Sequence, residues 1–352
     1  MRRISRITVA GAATASLALA LSACGGTSTS SSSSDSSGSK EDKGLAIAYD
    51  VGGRGDQSFN DAAYAGLKKA QDEFGYKTAD VEPTDGETDA DKEQRLASLA
   101  KQGYNPVIGV GYAYAAAVKG AAEKFPDTTF GIVDDATVEA DNVADLVFSE
   151  EEASYLAGVA AAETTKTDVV GFIGGVDIPL IHKFRAGFEQ GVKDTNPKAK
   201  VISQFLTQTA EEGGFSSPDK GKSAAEGQIE KKADVVYAAA GLSGQGVIEA
   251  AAANKVWAIG VDSDQYKQEA LAKYKDSILT SAMKDVAKAV YNLAQSVEDG
   301  KPATGIVKGD LKTGEVSLSN SNPKFADDAE LQAVIEKAKE KIISGDIKVK
   351  SS

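Results

Sequence analysis

The feature that most constrains the fold of this chain is a regular alternation between short apolar runs and longer helical patterns. The apolar runs have the length of buried strands rather than of buried helices. The predicted strands are Leu45–Ala48, Val107–Gly111, Thr129–Asp134, Val143–Phe148, Val169–Gly174, Val201–Leu206, Val235–Ala239, Val256–Asp262 and Ile278–Ala282. The predicted helices between them are Asp91–Gln102, Tyr114–Lys124, Glu151–Thr164, Lys183–Lys193, Lys222–Lys231, Gly246–Ala253 and Ala287–Asp299.

Apolar strands that alternate with helices are typical of parallel sheets covered on both faces. The chain has 352 residues, which is enough for two domains of ordinary size. The strands are too many for one modest sheet, so the pattern favours an α/β fold with two doubly wound parallel-sheet domains. Periodicity alone leaves a (β/α)₈ barrel open as an alternative.

The stretch Tyr49–Ala70, with the sequence YDVGGRGDQSFNDAAYAGLKKA, predicts a strand end, a glycine-rich loop and a helix. Its glycine spacing does not match G-x-G-x-x-G and no Gly-Lys-Ser/Thr follows, which argues against a phosphate-binding loop. Asn60 or Asp61 is expected to cap the helix, since a short side-chain oxygen can accept the free N–H groups of its first turn. Glycines allow a bound molecule to approach the backbone, and Phe59 offers it a flat face.

The second half of the chain repeats this arrangement. Val169–Gly175 is again a strand that runs into Gly-Gly, and a helical pattern follows. Phe59 precedes Ala65-Gly66, and Phe184 precedes Ala186-Gly187; the small pairs are expected to let each helix lie close to its sheet. Two such units facing each other would present an aromatic ring from either side of a cleft, although each phenylalanine alone is more typical of a core residue.

Three aspartates, Asp50, Asp134 and Asp262, lie at the carboxyl ends of predicted strands. Ligands of open α/β sheets bind outside these ends, so the three side chains are expected to converge on one crevice. Ionised carboxylates only accept hydrogen bonds, which suits a ligand rich in O–H and N–H donors and repels phosphate. Lys284 would offset their mutual repulsion. The alternative for any single aspartate is a helix cap or a turn.

The N-terminus has the pattern of a lipoprotein leader. Arg2, Arg3 and Arg6 precede the apolar segment 7–21, and Leu21-Ser22-Ala23-Cys24 resembles a lipobox. We expect residues 1–23 to be a signal peptide, Cys24 to carry the lipid, and residues 24–44, rich in Ser and Gly, to be a disordered tether. The alternative is an ordinary signal peptide followed by a chance cysteine.

Composition narrows the classes of function. The formal net charge of −13 argues against nucleic acid and anionic membrane surfaces as partners. The chain has one Cys and one His, and no G-x-S-x-G element for a Ser-His-Asp triad, so we expect no enzyme activity, no catalytic residues, no metal and no cofactor. His182 is expected at a pocket rim or on the surface.

Several motifs together resemble the basic membrane protein family, the purine-nucleoside-binding lipoproteins of bacterial ABC importers. The resemblance covers about residues 45–345. It is carried by the segments DVGGRGDQSFND, IGGVDIPLIHKFRAGFEQGV, ADVVYAAAGLSGQGV, WAIGVDSDQ and TSAMKDVAKAVY.

The resemblance implies a type I periplasmic-binding-protein fold and a set of ligand contacts. Phe59 and Phe184 would sandwich the base, while Asn60 and Asp134 would bind its edge. The ribose would be bound by Asp50, Gly241, Asp262 and Lys284. Leu242 and the enlarged loop 205–219 depart from the family pattern, and the resemblance places them at the sugar side of the pocket and at the cleft rim.

The implied chain path crosses three times between the domains. The first domain would comprise residues 45–149 plus 278–303, and the second residues 150–277 plus 304–350. We expect a monomeric, membrane-anchored, extracytoplasmic binding protein that delivers nucleosides, with purine nucleosides favoured, to an ABC permease. The alternatives are a binding protein for a sugar or other polyol, and an anchored nucleoside hydrolase.

Overall fold

The structure is a computed structural model and describes residues 44–352. The predicted signal peptide, Cys24 and nearly all of the predicted tether lie outside the described residues. Within residues 44–352, no helix combines the length and the apolar character that a membrane span requires.

Two six-stranded sheets form the framework, and each is built mostly from parallel strands. The first sheet has the order β11-β5-β4-β3-β1-β2 and the second β12-β10-β9-β8-β6-β7. The strands are β1 (Gly44–Ala48), β2 (Lys77–Val81), β3 (Val107–Gly109), β4 (Phe130–Val133), β5 (Val143–Phe148), β6 (Val169–Val176), β7 (Lys200–Thr207), β8 (Val235–Ala239), β9 (Trp257–Asp262), β10 (Ile278–Lys284), β11 (Gly305–Gly309) and β12 (Val316–Leu318).

Helices cover the sheets and divide the molecule into two lobes. The first lobe is the first sheet with α1 (Phe59–Phe74), α2 (Asp89–Lys101), α3 (Ala115–Lys124) and α8 (Val286–Glu298). The second lobe is the second sheet with α4 (Glu150–Thr164), α5 (Pro179–Thr195), α6 (Pro218–Glu230), α7 (Gly244–Asn254), α9 (Pro323–Ala326) and α10 (Ala329–Ser344). The prediction of two doubly wound α/β domains is confirmed, and the barrel alternative is wrong.

The two lobes share one topology. Strand by strand, β2-β1-β3-β4-β5-β11 corresponds to β7-β6-β8-β9-β10-β12. The outermost strands differ, because β11 runs parallel to β5 whereas β12 runs antiparallel to β10. The repeated strand-glycine-helix pattern of the sequence therefore corresponds to a repeated structural unit.

The chain crosses between the lobes at 149–150, 284–286 and 309–316, and these crossings lie side by side. Ser149 N donates to Gly309 O at 2.9 Å, and Asp285 N donates to Glu315 O at 2.7 Å. The predicted domain limits are wrong for two strands: β10 belongs to the second sheet and β11 to the first. The error arose because β10 is followed by a helix of the first lobe, α8, and the sequence does not mark the crossing between them.

The strands that the sequence did not predict are β2, β11 and β12, and all three lie at sheet edges. Central strands are buried on both faces and have continuous apolar sequences, whereas β2 (KTADV) and β11 (GIVKG) are largely solvent-exposed. Edge strands of this kind lack the apolar run on which the prediction depended.

The Ala-Gly pairs of α1 and α5, at residues 65–66 and 186–187, lie at a different contact from the predicted one. A Cβ at Gly66 would lie 2.4 Å from the carbonyl oxygen of Ala287 in α8, and one at Gly187 would lie 2.1 Å from that of Glu151 in α4. The glycines therefore allow close contact between two helices rather than between a helix and its sheet. Each contact joins the helix that begins beside the cleft to the helix that follows a crossing.

Candidate ligand-binding site

A cavity lies between the lobes, at the carboxyl ends of the central strands of both sheets. The space that no atom fills, including the mouth, is about 540 Å³, within the range of small-molecule sites. All eight residues predicted to bind a ligand line it: Asp50, Phe59, Asn60, Asp134, Phe184, Gly241, Asp262 and Lys284. The sequence-based prediction that strand ends and glycine loops meet in one crevice agrees with this geometry.

The two predicted aromatic residues come from opposite lobes. Phe59 is the first residue of α1 and is half-buried, while Phe184 lies in the second turn of α5 and is buried in the core. The Lys284 ammonium lies 4.8 Å from the centroid of the Phe59 ring and 5.4 Å from that of Phe184. Both rings therefore border the same charged floor, and Phe184 has a structural role in addition to lining the cavity.

The loop that precedes α1 is organised by Asp56 rather than by the predicted caps. The Asp56 carboxylate accepts from Ser58 N at 3.0 Å, Asn60 N at 2.8 Å and Asp61 N at 3.2 Å. The prediction that Asn60 or Asp61 caps the helix is wrong, because α1 already begins at Phe59 and both residues lie within its first turn. Burial raises the pKa of Asp56 to about 6, against the effect of these hydrogen bonds.

Asn60 is held in place by its own neighbours. Its Oδ1 accepts from Asp50 N at 3.1 Å, and its Nδ2 donates to Asp56 at 3.2 Å. One N–H of the amide is left for a ligand, since the amide nitrogen carries two. The position of Asn60 is thus fixed by the loop.

Asp134 and Asp262 occupy equivalent places, just after β4 and at the end of β9, and both have left-handed backbones with φ of 68° and 61°. Each carboxylate contacts the opposite lobe through Oδ2: Lys284 Nζ donates to Asp134 at 2.6 Å, and Ser58 Oγ donates to Asp262 at 2.7 Å. The Oδ1 atom of each is buried and has no hydrogen-bond partner among the described residues. Buried acceptors of this kind require a donor.

Lys284 is the centre of a buried charge cluster. Its Nζ lies 2.6 Å from Asp134, 3.7 Å from Asp262 and 4.0 Å from Glu150. Burial alone lowers the pKa of Lys284, but the three carboxylates outweigh that effect and raise it. The ammonium form of this side chain is therefore stabilised by carboxylates from both lobes.

Glu150 is a member of this cluster that the sequence did not reveal. It is fully buried at the first position of α4, where Lys183 Nζ donates to its Oε2 at 3.3 Å. Burial raises the pKa of Glu150 to about 7, although Lys284 acts in the opposite direction. In the sequence, Glu150–Glu152 has the appearance of an exposed acidic first turn, so no signal pointed to its burial.

Asp50 lies against the backbone of a neighbouring loop. Its Oδ1 accepts from Val51 N at 2.8 Å, and a Cβ at Gly111, whose φ is 101°, would lie 2.0 Å from its Oδ2. Only glycine leaves room for this carboxylate. Burial raises the pKa of Asp50 to about 7.

The wall from the second lobe is mostly apolar and includes residues that the sequence did not single out, namely Leu180, Ile181, Phe215, Ala239 and Ala240. Phe215 comes from the enlarged loop, and its carbonyl oxygen would lie 3.2 Å from a Cβ at Gly241, whose φ is 52°. Leu242 lies next to Gly241 and does not line the cavity. The loop that departs from the family pattern thus supplies part of the cavity wall.

His182 lies away from the cavity. Its Nε2 is 2.6 Å from Asp177 Oδ1, and its ring centroid is 4.9 Å from that of Phe205. Within residues 44–352, no group of three or more His, Cys, Asp or Glu side chains has the geometry to bind a metal ion.

Comparison with known proteins identifies the family. The model of the Bmp family, PnrA-like ABC transporter substrate-binding proteins, matches residues 44–352. The chain belongs to this family. The resemblance to basic membrane proteins is thereby confirmed, and the protein is a substrate-binding protein of the ABC transporter type.

Similar proteins agree with this membership. The chain is 36% identical to the ABC transporter nucleoside-binding protein BmpA of Lactococcus lactis subsp. cremoris, over 89% of this chain and 90% of that protein. It is 33% identical to an uncharacterized lipoprotein of Pyrococcus abyssi, over 77% and 68%. A solved ABC transporter solute-binding protein from Aeropyrum pernix K1 aligns with a TM-score of 0.75 and 27% identity, covering 88% of this chain and 93% of that chain.

Proposed function

We propose that this Bmp-family protein captures nucleosides, purine nucleosides foremost, between its two lobes and delivers them to an ABC permease. The observation that carries the proposal is the juxtaposition of two phenylalanines from opposite lobes with a floor of aspartates and one lysine. A planar base suits the paired aromatic faces, and the hydroxyl groups of ribose suit the acceptors. The name of the Lactococcus relative, a nucleoside-binding protein, supports the same ligand class.

The base lies between Phe59 and Phe184 in this proposal, and Asn60 and Asp134 bind its edge. Asp134 Oδ1 and the remaining N–H of Asn60 give one acceptor and one donor for the polar edge of a purine. An isolated sugar would offer these two rings only C–H groups rather than a planar π-system.

The ribose lies towards Asp50, Gly241, Asp262 and Lys284. Asp262 Oδ1 is a buried acceptor that receives no hydrogen bond from the described residues, and the ammonium of Lys284 lies 3.7 Å from it as a donor for the same ligand. Phosphorylated nucleosides are disfavoured, because the carboxylates around the cavity would repel the added negative charge.

The protein acts by binding and release without chemical change of the ligand. The lobes close on the nucleoside through the three adjacent crossings, and the permease recognises the closed form. Incubation of the purified protein with inosine is expected to release neither free base nor ribose, as followed by chromatography; accumulation of hypoxanthine would identify a nucleoside hydrolase instead.

The anchor is proposed from the leader sequence. A diacylglyceryl group on Cys24 and a tether of about 20 residues would hold a monomeric body at the extracytoplasmic face of the cell membrane, since two acyl chains suffice for durable attachment. Cys24→Ala is expected to release the protein from the membrane fraction and to leave nucleoside binding unchanged. Retention of the variant in the membrane fraction would contradict the lipobox interpretation.

Ligand class is tested by thermal unfolding of residues 25–352. Inosine, guanosine or adenosine should raise the melting temperature, because a ligand at a hundredfold excess over Kd stabilises the folded state by about 2.7 kcal/mol. Ribose and galactose should have no effect. Protection by the sugars and not by the nucleosides would replace this proposal with a sugar-binding one.

A further inference from the structure

A second set of contacts joins the lobes outside the cavity. Three backbone carbonyl groups of residues 55–58 in the first lobe accept hydrogen bonds from side chains of the second lobe. Gln245 Nε2 donates to Gly55 O at 2.9 Å, Gln265 Nε2 donates to Gln57 O at 3.1 Å, and Ser263 Oγ donates to Ser58 O at 2.8 Å. We refer to segment 55–58 together with Gln245, Ser263 and Gln265 as the latch.

The first-lobe half of the latch is held in shape by its own lobe. The Asp61 carboxylate accepts from Gly55 N and from Gln57 N, each at 3.0 Å. Gln57 has a φ of 55°, a left-handed conformation that is unfavourable for a residue other than glycine. The surrounding hydrogen bonds hold this strained turn, so the acceptors are arranged before the second lobe reaches them.

The second-lobe half is also oriented in advance. Gln265 is buried, and its Oε1 accepts from Val261 N at 3.2 Å, which leaves its Nε2 to face the first lobe. Its backbone N donates to Ser281 Oγ at 3.2 Å. A donor whose orientation is fixed in this way loses little side-chain entropy when the lobes meet.

None of the three donors of the latch lines the cavity, and neither does any of their acceptors. Ser58 connects the two regions, because its Oγ donates to Asp262 in the cavity while its carbonyl accepts from Ser263. The latch is therefore formed only when the lobes are together, yet it does not depend on which ligand lies between them.

We propose that the latch stabilises the closed form and so sets the affinity for every ligand by one common factor. This inference rests on the proposed function, in which the lobes close on a nucleoside. A ligand that binds the closed form has an apparent Kd inversely proportional to the closed fraction. Loss of latch hydrogen bonds lowers that fraction, and the contacts that discriminate between ligands are unchanged.

The test is the double variant Gln245→Ala/Ser263→Ala in residues 25–352, with Gln295→Ala on an exposed face of α8 as the matched control. By calorimetry, the double variant should weaken adenosine, inosine and guanosine binding by about 10-fold each, as expected for two hydrogen bonds of ordinary strength. Gln295→Ala should change none of them. Unchanged affinities, or factors that differ severalfold between the three nucleosides, would overturn the proposal.

A second measurement does not require a nucleoside. Asp85 and Glu211 are exposed residues of opposite lobes that border one groove at the cleft mouth. Spin labels are attached to Asp85→Cys and Glu211→Cys in a chain without Cys24, and the distance between the two labels is measured. When the same chain also carries Gln245→Ala and Ser263→Ala, a larger share of the molecules should show a long distance. The same distances with and without the latch substitutions would overturn the proposal. If the unsubstituted protein binds no nucleoside, the proposed function fails while this measurement still tests the latch.

Discussion

The two lobes have the same sheet order but bring different chemistry to the cavity. At equivalent strand ends, Asp50 follows β1 and lines the cavity, whereas Asp177 follows β6 and pairs with His182 instead. Phe148 ends β5, whereas Lys284 ends β10. Asp134 and Asp262, after β4 and at the end of β9, are the equivalent pair of which both members line the cavity. The first lobe thus supplies a wall with three aspartates, Asp50, Asp56 and Asp134, and the second supplies a mostly apolar wall with one aspartate, Asp262, and one cation, Lys284.

This difference shows how a duplicated fold forms a single asymmetric site. Lys284 of the second lobe donates to Asp134 of the first, and Ser58 of the first donates to Asp262 of the second. Each matching aspartate is therefore tied to the other lobe by one oxygen, and the other oxygen remains for a ligand. In the proposed function, these two acids would couple lobe closure to ligand binding, while the residues that differ between the lobes would set the orientation of the ligand.

The largest effect is expected from Lys284→Met. Removing the ammonium leaves Asp134 and Asp262 without a cation and Glu150 with Lys183 alone, and breaking such a buried cluster costs about 3–5 kcal/mol. Urea unfolding should show this loss, and nucleoside binding should fall below detection. Lys284→Arg should retain part of the stability and part of the nucleoside affinity. Lys312→Met, at an exposed position, should change neither quantity. If Lys284→Met kept full stability, the contact between the two lobes would not depend on the charge of Lys284.

The next effect separates the two phenylalanines. Stacking on an aromatic face contributes on the order of 1–3 kcal/mol, so Phe59→Ala and Phe184→Ala should each weaken nucleoside affinity by roughly 5- to 150-fold. Phe184 is also part of the core, and its truncation should lower the free energy of unfolding by about 3–5 kcal/mol. Phe59→Ala should lower it far less. Loss of stability with full affinity in both variants would show that neither ring contacts the base.

A smaller effect is expected at the ribose side. Asp262→Asn removes a charged acceptor, which is worth about 1.5–3 kcal/mol when it binds a hydroxyl. By calorimetry, Asp262→Asn should weaken the binding of inosine more than the binding of 2′,3′-dideoxyinosine. Phe59→Ala should weaken the binding of both ligands by the same factor. Equal effects of Asp262→Asn on the two ligands would move the ribose away from the second lobe.

The smallest effect concerns the acidic wall. Burial raises the pKa of Asp50 from 3.8 to about 7. The folded protein therefore holds more protons than the unfolded chain between these values, so this residue makes the free energy of unfolding fall as the pH rises from about 4 to 7. Asp50→Asn should lessen that fall by roughly 1–3 kcal/mol between pH 5 and pH 8, since one pKa unit corresponds to about 1.4 kcal/mol. Asp276→Asn, at an exposed position, should leave the pH profile unchanged, and an unchanged profile for Asp50→Asn would contradict the assigned burial effect.

The sequence predicted the parts of the fold that depend on burial. Central strands such as β5 and β8 have apolar sequences because both faces are covered, and the predicted ranges agree with the structure. The edge strands and the assignment of β10 and β11 could not be predicted in this way. Edge strands carry little apolar sequence. The crossings depend on which sheet each strand pairs with, and the sequence around a strand does not show this.

The candidate site shows the same division. Strand-end acids and glycine-loop aromatics were predictable, because the ends of parallel strands meet at one edge of a sheet. Glu150, Phe215 and Ser58 were not, since their positions follow from a crossing or from loop conformation. An acidic helix start is normally solvent-exposed, and Glu150 is buried because it lies at a crossing between the lobes.

A crystal structure of residues 25–352 grown with inosine tests the proposed nucleoside site most directly. The base is expected between the rings of Phe59 and Phe184, with ribose hydroxyl groups at Asp262 Oδ1 and Lys284 Nζ. A nucleoside found outside this cavity, or one whose base contacts neither phenylalanine, would contradict it.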